Sequence, residues 1–187
     1  MIEKINQFNF KTGLLLREYE KVKSQYAGEK VKRIRVTYSS FDKDTAPPHL
    51  SFSLRCKPAK EAMQRGDRSS WNVDNILKPF QGSYTEQVVC DVNKWLNNIG
   101  LRVTIVKYAE LVSGQAFCLH TDDFYDYRFH IPVATNKGAM FHVDKGLYFM
   151  HDVGAMYKMI TNKEHACWNV GHTPRVHLIF DTEELKP

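Results

Sequence analysis

Four side chains in the last third of the chain have the types and spacing of a metal centre with an anion-binding group nearby. His120 and Asp122 are two residues apart, so in an extended strand their side chains point the same way. A second imidazole, His165, arriving from a distant strand would complete a face of two histidines and one carboxylate. Non-haem Fe(II) oxygenases use this set because it leaves positions open for a cosubstrate and oxygen. Arg175 would then bind a cosubstrate carboxylate through two parallel hydrogen bonds.

Other histidines compete for the second imidazole position. His172 lies in a Gly-His-Thr-Pro turn close to His165 and is the alternative ligand. A residue that enters a strand is better placed than a turn residue, so His165 is preferred. His142 and His151 are interpreted as surface or turn histidines. The His-x-Asp pair alone is a weak signal, and the strand context and the arginine are what sharpen it.

The composition predicts one soluble, cytoplasmic domain. The 187 residues are 43% hydrophobic and 25% charged, and no apolar run approaches the roughly 18 residues of a membrane span. The N-terminus lacks the basic-then-apolar pattern of a signal peptide. The formal charge is +5, with a basic cluster early in the chain. Nucleic-acid binding is therefore an alternative function, although such a charge is more typical of a solvated surface.

Two amphipathic helices are predicted in the first hundred residues. The first spans about residues 11–27 and places its apolar residues at helical spacing. The second begins at the capping box formed by Ser83 and Glu86 and ends at Gly100. Alternating apolar residues predict strands over 34–38 and 50–54, whereas 66–82 indicates an irregular connection.

From residue 101 onward the pattern changes to short alternating strands. These are predicted around Leu101–Ile105, Phe129–Val133 and Val176–Phe180, with turns at Gly114, 136–138, 144–146, 152–154 and 171–174. We predict an α+β fold: a double-stranded β-helix (a jelly roll, cupin-like) with the N-terminal helices packed on one sheet. One domain would cover 1–187, with helices and supporting strands in 1–99 and the catalytic jelly-roll core in 100–181.

Polar side chains recur on one face of two predicted strands. If the apolar residues of 129–133 share a face, Arg128 and His130 share the other, and Arg175 and His177 oppose the apolar residues of 176–180 in the same way. A wet outer face of an antiparallel sheet is the alternative interpretation. A polar pocket is favoured, because exposed faces are usually richer in Lys, Glu and Thr than in His and Arg.

Motifs over roughly residues 100–181 resemble the aspartyl/asparaginyl β-hydroxylase family, a branch of the 2-oxoglutarate- and Fe(II)-dependent oxygenases that is also related to small proline hydroxylases. They occur in the family's order with matching gaps. The motifs are His120-Thr121-Asp122-Asp123, Tyr127-Arg128-Phe129-His130-Ile131-Pro132, Val153-Gly154-Ala155, Asn162-Lys163-Glu164-His165 and Arg175-Val176-His177-Leu178-Ile179-Phe180-Asp181.

The resemblance implies a hydroxylase that uses Fe(II), 2-oxoglutarate and O2. It implies that His120, Asp122 and His165 are the catalytic metal ligands and that Arg175 holds the distal carboxylate of 2-oxoglutarate. His130 would assist cosubstrate binding, and Arg128 would contact a carboxylate of cosubstrate or substrate. Asn169 resembles a further pocket position, and His177 either lines the pocket or is a satisfied core histidine. Ala109 occupies the position at which the mammalian aspartyl hydroxylase of this family has a small hydroxyl residue that helps bind 2-oxoglutarate.

The expected substrate is an aspartyl or asparaginyl side chain or a free amino acid, because a cationic pocket suits a carboxylate or amide. No membrane partner is expected, and the sequence does not indicate an oligomeric state. The rival functions are a catalytically inactive jelly-roll binding module, a basic nucleic-acid-binding protein and a cupin-like isomerase.

Overall fold

The computed structural model describes residues 1–26, 80–122 and 126–185. The strands predicted over 34–38 and 50–54, the basic cluster and most of the 66–82 connection lie outside the described residues. The described helices are α1 (Thr12–Tyr26) and α2 (Tyr84–Asn98). The described strands are β1 (Ile2–Ile5), β2 (Leu101–Leu111), β3 (Ala116–His120), β4 (Tyr127–Ala134), β5 (Ala139–Val143), β6 (Gly146–Tyr148), β7 (Met156–Ile160), β8 (His165–Asn169) and β9 (Arg175–Glu184).

Helix α2 begins and ends where its capping residues predict. Ser83 is the N-cap, and its hydroxyl accepts a hydrogen bond from the backbone N–H of Glu86 at 3.2 Å. The carboxylate of Glu86 reaches back one residue further than in a standard capping box, to the backbone N–H of Gly82. Glu18 of α1 accepts from the first N–H groups of α2, which ties the two helices together. Gly100, with φ +80°, follows the helix.

The strands form two antiparallel sheets. One has the order β1-β7-β4-β9-β2, and the other has the order β3-β8-β5-β6. The predicted strands fall within β2, β4 and β9, and the predicted turns separate neighbouring strands. Strand β1 was not predicted, and it extends the five-stranded sheet by pairing with β7. These sheets and helices confirm the predicted α+β class.

The five-stranded sheet lies between the helices and the second sheet. Its helix-facing side carries Phe129, Ile131 and Val133 of β4 and the matching residues of β9, which pack in one cluster with the apolar stripes of α1 and α2. Its other side contributes Tyr157 and Met159 to a second cluster with β5 of the four-stranded sheet. The helices therefore cover one face, as predicted, and the two sheets face each other across the remaining space.

Gly154 connects the N-terminal segment to this framework. Its backbone N–H donates to Pro132 at 2.9 Å, and its carbonyl accepts from the N–H of Phe10 at 2.8 Å. Its φ is +83°, and a Cβ atom would lie 2.5 Å from the carbonyl oxygen of Phe10. Only glycine fits both the conformation and the contact.

Of the helices within the described ranges, none has the length and apolar character needed to cross a membrane.

Candidate metal centre

Three potential metal ligands meet at one end of the four-stranded sheet. His120 ends β3 and pairs in register with His165, the first residue of β8, which brings their ring centroids to 4.3 Å. Asp122 follows β3, and its backbone N–H donates to Thr161 at the end of β7. One ligand atom from each of His120, Asp122 and His165 lies within 4.8 Å of the others. The structure therefore brings together the predicted pair of imidazoles and the carboxylate.

Backbone hydrogen bonds orient both imidazoles in the same way. Nδ1 of His120 lies 2.7 Å from the carbonyl oxygen of Cys118, and Nδ1 of His165 lies 2.8 Å from that of Lys163. A carbonyl only accepts, so in each neutral ring the proton is on Nδ1 and Nε2 keeps its lone pair. Such outer partners fix the tautomer of metal-binding histidines in proteins. The Nε2 atom of His165 is buried and makes no hydrogen bond within the described residues.

Asp122 is held by a chain of buried and partly buried charges. Its Oδ2 atom lies 2.8 Å from Nη2 of Arg128 and 3.5 Å from Nε2 of His165, without a well-directed hydrogen bond to either. Nε of Arg128 donates to Asp181, whose other oxygen lies 2.7 Å from Nζ of Lys107. Burial alone would raise the pKa of Asp122, but the Arg128 guanidinium, together with His165 whenever that ring is protonated, holds it below the ordinary value. Asp122 is therefore ionised and oriented at neutral pH.

Asp181 should stabilise the fold in a pH-dependent way. Burial raises its pKa, but Arg128 and Lys107 outweigh burial and hold the pKa below its ordinary value of 3.8. A lowered folded-state pKa gives a stabilisation that is complete above the unfolded value and is lost as pH falls through the folded value. At neutral pH, Asp181→Asn should lower the free energy of unfolding by about 2–4 kcal/mol, because it removes the buried carboxylate that two partly buried cations share.

Urea unfolding of the metal-free protein across neutral and acidic pH measures this effect. The difference between wild type and Asp181→Asn should narrow below about pH 4, where the unfolded carboxyl is protonated. Asp91→Asn, at an exposed position on α2, is the matched control. A difference that stays constant down to the lowest pH would contradict the role given to Asp181.

His130 and His177 lie on the inner face of the five-stranded sheet, as the alternation predicts. They are 2% and 0% exposed, and their Nδ1 atoms are 3.2 Å apart. Burial holds the pKa of each well below its usual range, so both rings are neutral at physiological pH. The His177 ring stacks on Phe141 of the opposite sheet, and the His130 ring meets the same phenyl edge-on.

Arg175 brings a buried cation to the same phenyl ring. Its side chain is 2% exposed, and its guanidinium carbon lies 5.0 Å from the centroid of Phe141. Its Nε and Nη1 atoms are buried without a hydrogen-bond partner within the described residues. Burying a guanidinium is costly unless an anion accepts its hydrogen bonds. The arrangement therefore indicates a binding position for an anionic ligand.

Asn169 has a different environment from the one predicted. Its amide nitrogen donates to the carbonyls of Leu111 and Thr173, and its oxygen accepts from Asn136 and the N–H of Gly171. These four bonds use its two donors and both lone pairs. The predicted contact with a cosubstrate stays a prediction, and this hydrogen bonding argues against it. The bonds instead fix the turn that leads into Arg175.

Three residues without a predicted role join the predicted ones between the two sheets. His172 is exposed in its turn and is not among the clustered ligands. Asp123 lies outside the described residues. Sequence reasoning gave no role to Lys107, Phe141 or Asp181. Asp181 continues the alternation of Arg175 and His177 along β9 and could have been found from it.

The donor set fits a divalent transition metal with exchangeable positions. Two imidazole nitrogens and one carboxylate suit Fe(II), and they occupy only part of its coordination sphere. The buried Nε2 of His165 and Oδ2 of Asp122 lack well-directed hydrogen bonds, as expected for atoms whose partner is an ion.

Comparisons with known proteins identify one family. A profile described as aspartyl/asparaginyl beta-hydroxylase matches residues 58–184, more than half of the chain. No curated protein matches.

Several solved structures resemble the fold. A prolyl-4-hydroxylase from Pseudomonas putida has a TM-score of 0.54 and 13% identity, covering 98% of this chain and 92% of that one. AviO1 from Streptomyces viridochromogenes Tue57 has a TM-score of 0.53 and 9% identity, covering 92% and 84%. For an oxidoreductase of the 2OG-Fe(II) oxygenase family from Burkholderia pseudomallei, the values are 0.46 and 12%, covering 56% of this chain and only 60% of that one. At these identities the likeness concerns the fold.

Proposed function

The chain belongs to the aspartyl/asparaginyl β-hydroxylase family, and from this premise we propose that it is a 2-oxoglutarate- and Fe(II)-dependent dioxygenase. One observation carries the proposal: two imidazoles and a carboxylate converge at one point, and the same pair of sheets encloses a buried guanidinium that lacks an anion. His120, Asp122 and His165 would hold the iron, and Arg175 would bind the distal carboxylate of 2-oxoglutarate. Two facing antiparallel sheets support the finer assignment of a double-stranded β-helix.

The spacing along the four-stranded sheet supports this cosubstrate. Val143 of β5 is the register partner of His165, and Phe141 lies two residues away on the same strand. A strand rises about 3.3 Å per residue, so Phe141 is about 7 Å along the sheet from the metal-binding row. Because the Arg175 guanidinium lies over Phe141, a five-carbon chain with a carboxylate at each end suits the interval.

When bound, iron with 2-oxoglutarate and O2 supplies the oxidation that places a hydroxyl on an unactivated C–H bond. The protein contributes orientation. Backbone carbonyls hold the two imidazoles with Nε2 lone pairs exposed to the metal position. Arg128, itself held by Asp181, keeps the carboxylate of Asp122 directed at the same point. The buried rings of His130 and His177 limit water beside Arg175.

The substrate we propose is an aspartyl or asparaginyl side chain or a free amino acid. The inner face of the five-stranded sheet carries the cations Lys107, Arg128 and Arg175 against the carboxylate of Asp181, and Asp122 adds a second carboxylate at its edge. Among these described side chains, the one cation in excess is Arg175, which the cosubstrate would occupy, so the substrate would meet paired cations and carboxylates that suit the carboxylate, amide or amino group of an amino acid. Arg128 is the residue we propose for that contact.

Anaerobic reconstitution with Fe(II), followed by oxygen and 2-oxoglutarate, tests the function. Free amino acids and peptides containing aspartate or asparagine are screened for stimulated succinate release and for products heavier by one oxygen atom. At least one member of the screen should do both. Protein that binds neither Fe(II) nor 2-oxoglutarate would instead support the inactive binding module. Turnover without consumption of 2-oxoglutarate would support the isomerase.

A further inference from the structure

A buried hydrogen bond joins two histidines beside the proposed cosubstrate position. Nδ1 of His130 and Nδ1 of His177 are 3.2 Å apart, and both rings are enclosed between the two sheets. Phe141 stacks on one ring and meets the other edge-on, which restricts the rotation of both rings. The two Nδ1 atoms face each other in this confined space.

The contact between the two Nδ1 atoms requires that only one of them carries a proton. Burial holds the pKa of both rings well below the usual range, so each carries a single N–H. Two Nδ1 atoms at hydrogen-bonding distance share one proton, because two hydrogens would repel and two lone pairs would not bond. One ring therefore carries its proton on Nδ1, and the other carries it on Nε2. The pair presents one Nε2–H donor and one bare Nε2 acceptor.

Both outer nitrogens lack a partner. The Nε2 atoms of His130 and His177 are buried and make no hydrogen bond in the described part of the chain, and the same holds for Nε and Nη1 of Arg175. Buried polar atoms are almost always satisfied by protein, water or ligand. These unsatisfied atoms lie on one sheet face, which marks a polar surface completed by a bound molecule.

The strand register gives the order of these side chains along the sheet, with His130 nearer the metal-binding end and His177 nearer Arg175. Arg128, which contacts Asp122, is opposite Asp181; His130 is opposite Ile179; and His177 is opposite Pro132, two residues from Arg175. His130 thus lies between the metal-binding end and the Arg175 end. A dianionic ligand that spans both ends accepts hydrogen bonds but does not donate them, so the nitrogen it meets must carry the proton.

We propose that His177 donates its Nδ1–H to His130 and thereby fixes His130 as an Nε2–H donor to the anionic cosubstrate. His177 is a positioning residue, because it acts on the ligand only through His130. The proposal rests on the proposed function, because it takes the ligand to be 2-oxoglutarate.

Nitrogen-15 NMR of histidine side chains reads the tautomers directly. The full chain with Zn(II) in place of iron should show His130 protonated on Nε2 and His177 protonated on Nδ1, with and without 2-oxoglutarate. The opposite assignment, or a doubly protonated ring at neutral pH, would overturn the proposal. Single-histidine variants assign the signals.

Two variants test the consequence for binding. His177→Leu removes the donor, and the dissociation constant of 2-oxoglutarate should rise about tenfold, equivalent to about 1.4 kcal/mol. His177→Asn keeps an N–H group near the Nδ1 position, so its affinity should stay within about threefold of wild type. Zn(II) affinity should not change in either. His172→Leu, at an exposed turn, is the control. Equal 2-oxoglutarate affinity for wild type and a folded His177→Leu would overturn the role of His177.

The outcomes separate this inference from the proposed function. A wild type that fails to bind 2-oxoglutarate contradicts the proposed function, whatever the tautomers are. A wild type that binds it with His130 protonated on Nδ1 contradicts the inference alone. If His177→Leu does not fold, the tautomers of the wild type decide.

Discussion

Replacing His165 with alanine should abolish substrate-dependent succinate formation and weaken Fe(II) binding. The loss should exceed the 10–100-fold effects typical of outer-shell residues, because a direct ligand is removed. His120→Ala and Asp122→Ala should behave alike, since all three side chains converge on one position. The measurements are an anaerobic Fe(II) titration and the rate of succinate release. His165→Ala should leave the fold intact, because the one side-chain hydrogen bond described for it, from Nδ1 to the carbonyl of Lys163, is local to the start of β8.

His172→Ala is the informative control for that experiment. His172 is the neighbouring histidine that sequence reasoning considered as the alternative ligand, and it is exposed in its turn. Its replacement should leave both Fe(II) affinity and succinate release close to wild type. Succinate formation that survives the loss of His165 or His120 would refute the ligand assignment.

Arg175→Met should produce effects of opposite sign on binding and on stability. Losing the buried partner of a carboxylate costs about 2–5 kcal/mol of affinity, so the KM for 2-oxoglutarate should rise by about 30-fold or more. Without ligand, however, two of the guanidinium nitrogens are unsatisfied. Replacing such a charge with an apolar side chain of similar length should therefore maintain or raise the free energy of unfolding of the ligand-free protein.

Steady-state kinetics over a range of 2-oxoglutarate concentrations and urea unfolding without ligand check both effects. Arg175→Lys should recover little affinity, because an ammonium cannot make the two parallel bonds of a guanidinium. Arg102→Met is the matched control, since Arg102 pairs with Glu183 at a more exposed position. An unchanged KM for Arg175→Met would exclude this residue as the carboxylate anchor.

Local signals in the sequence predicted much of the fold. Ser83 and Gly100 bound α2, and the alternation of β4 and β9 separates a helix-facing apolar side from a polar side. These features depend on residues close together in the chain. The pairing of β4 with β9, by contrast, joins residues about fifty positions apart, and no local pattern specifies its register.

The metal ligands could likewise be predicted from residue types and their spacing along the chain, but the contacts that hold them could not. His120, Asp122 and His165 were recognised as types at characteristic spacings, and the structure brings them together. The support beneath them was not predicted. From the sequence alone, Lys107 is indistinguishable from a surface lysine on an alternating strand. The pairing of β2 with β9 brings it to Asp181. The use of Asn169 as a turn clamp likewise depends on contacts with β2 and Asn136.

The two imidazoles of the triad differ sharply in their access to solvent. His120 ends β3, the outermost strand of its sheet in the described residues, and its side chain is 41% exposed, whereas that of His165 is 5% exposed. An ion held there would arrive and depart past His120, without any opening of the core. Occupancy would then follow the free ferrous iron of the surroundings, so chelators should strip the purified protein quickly and added iron should restore it just as quickly.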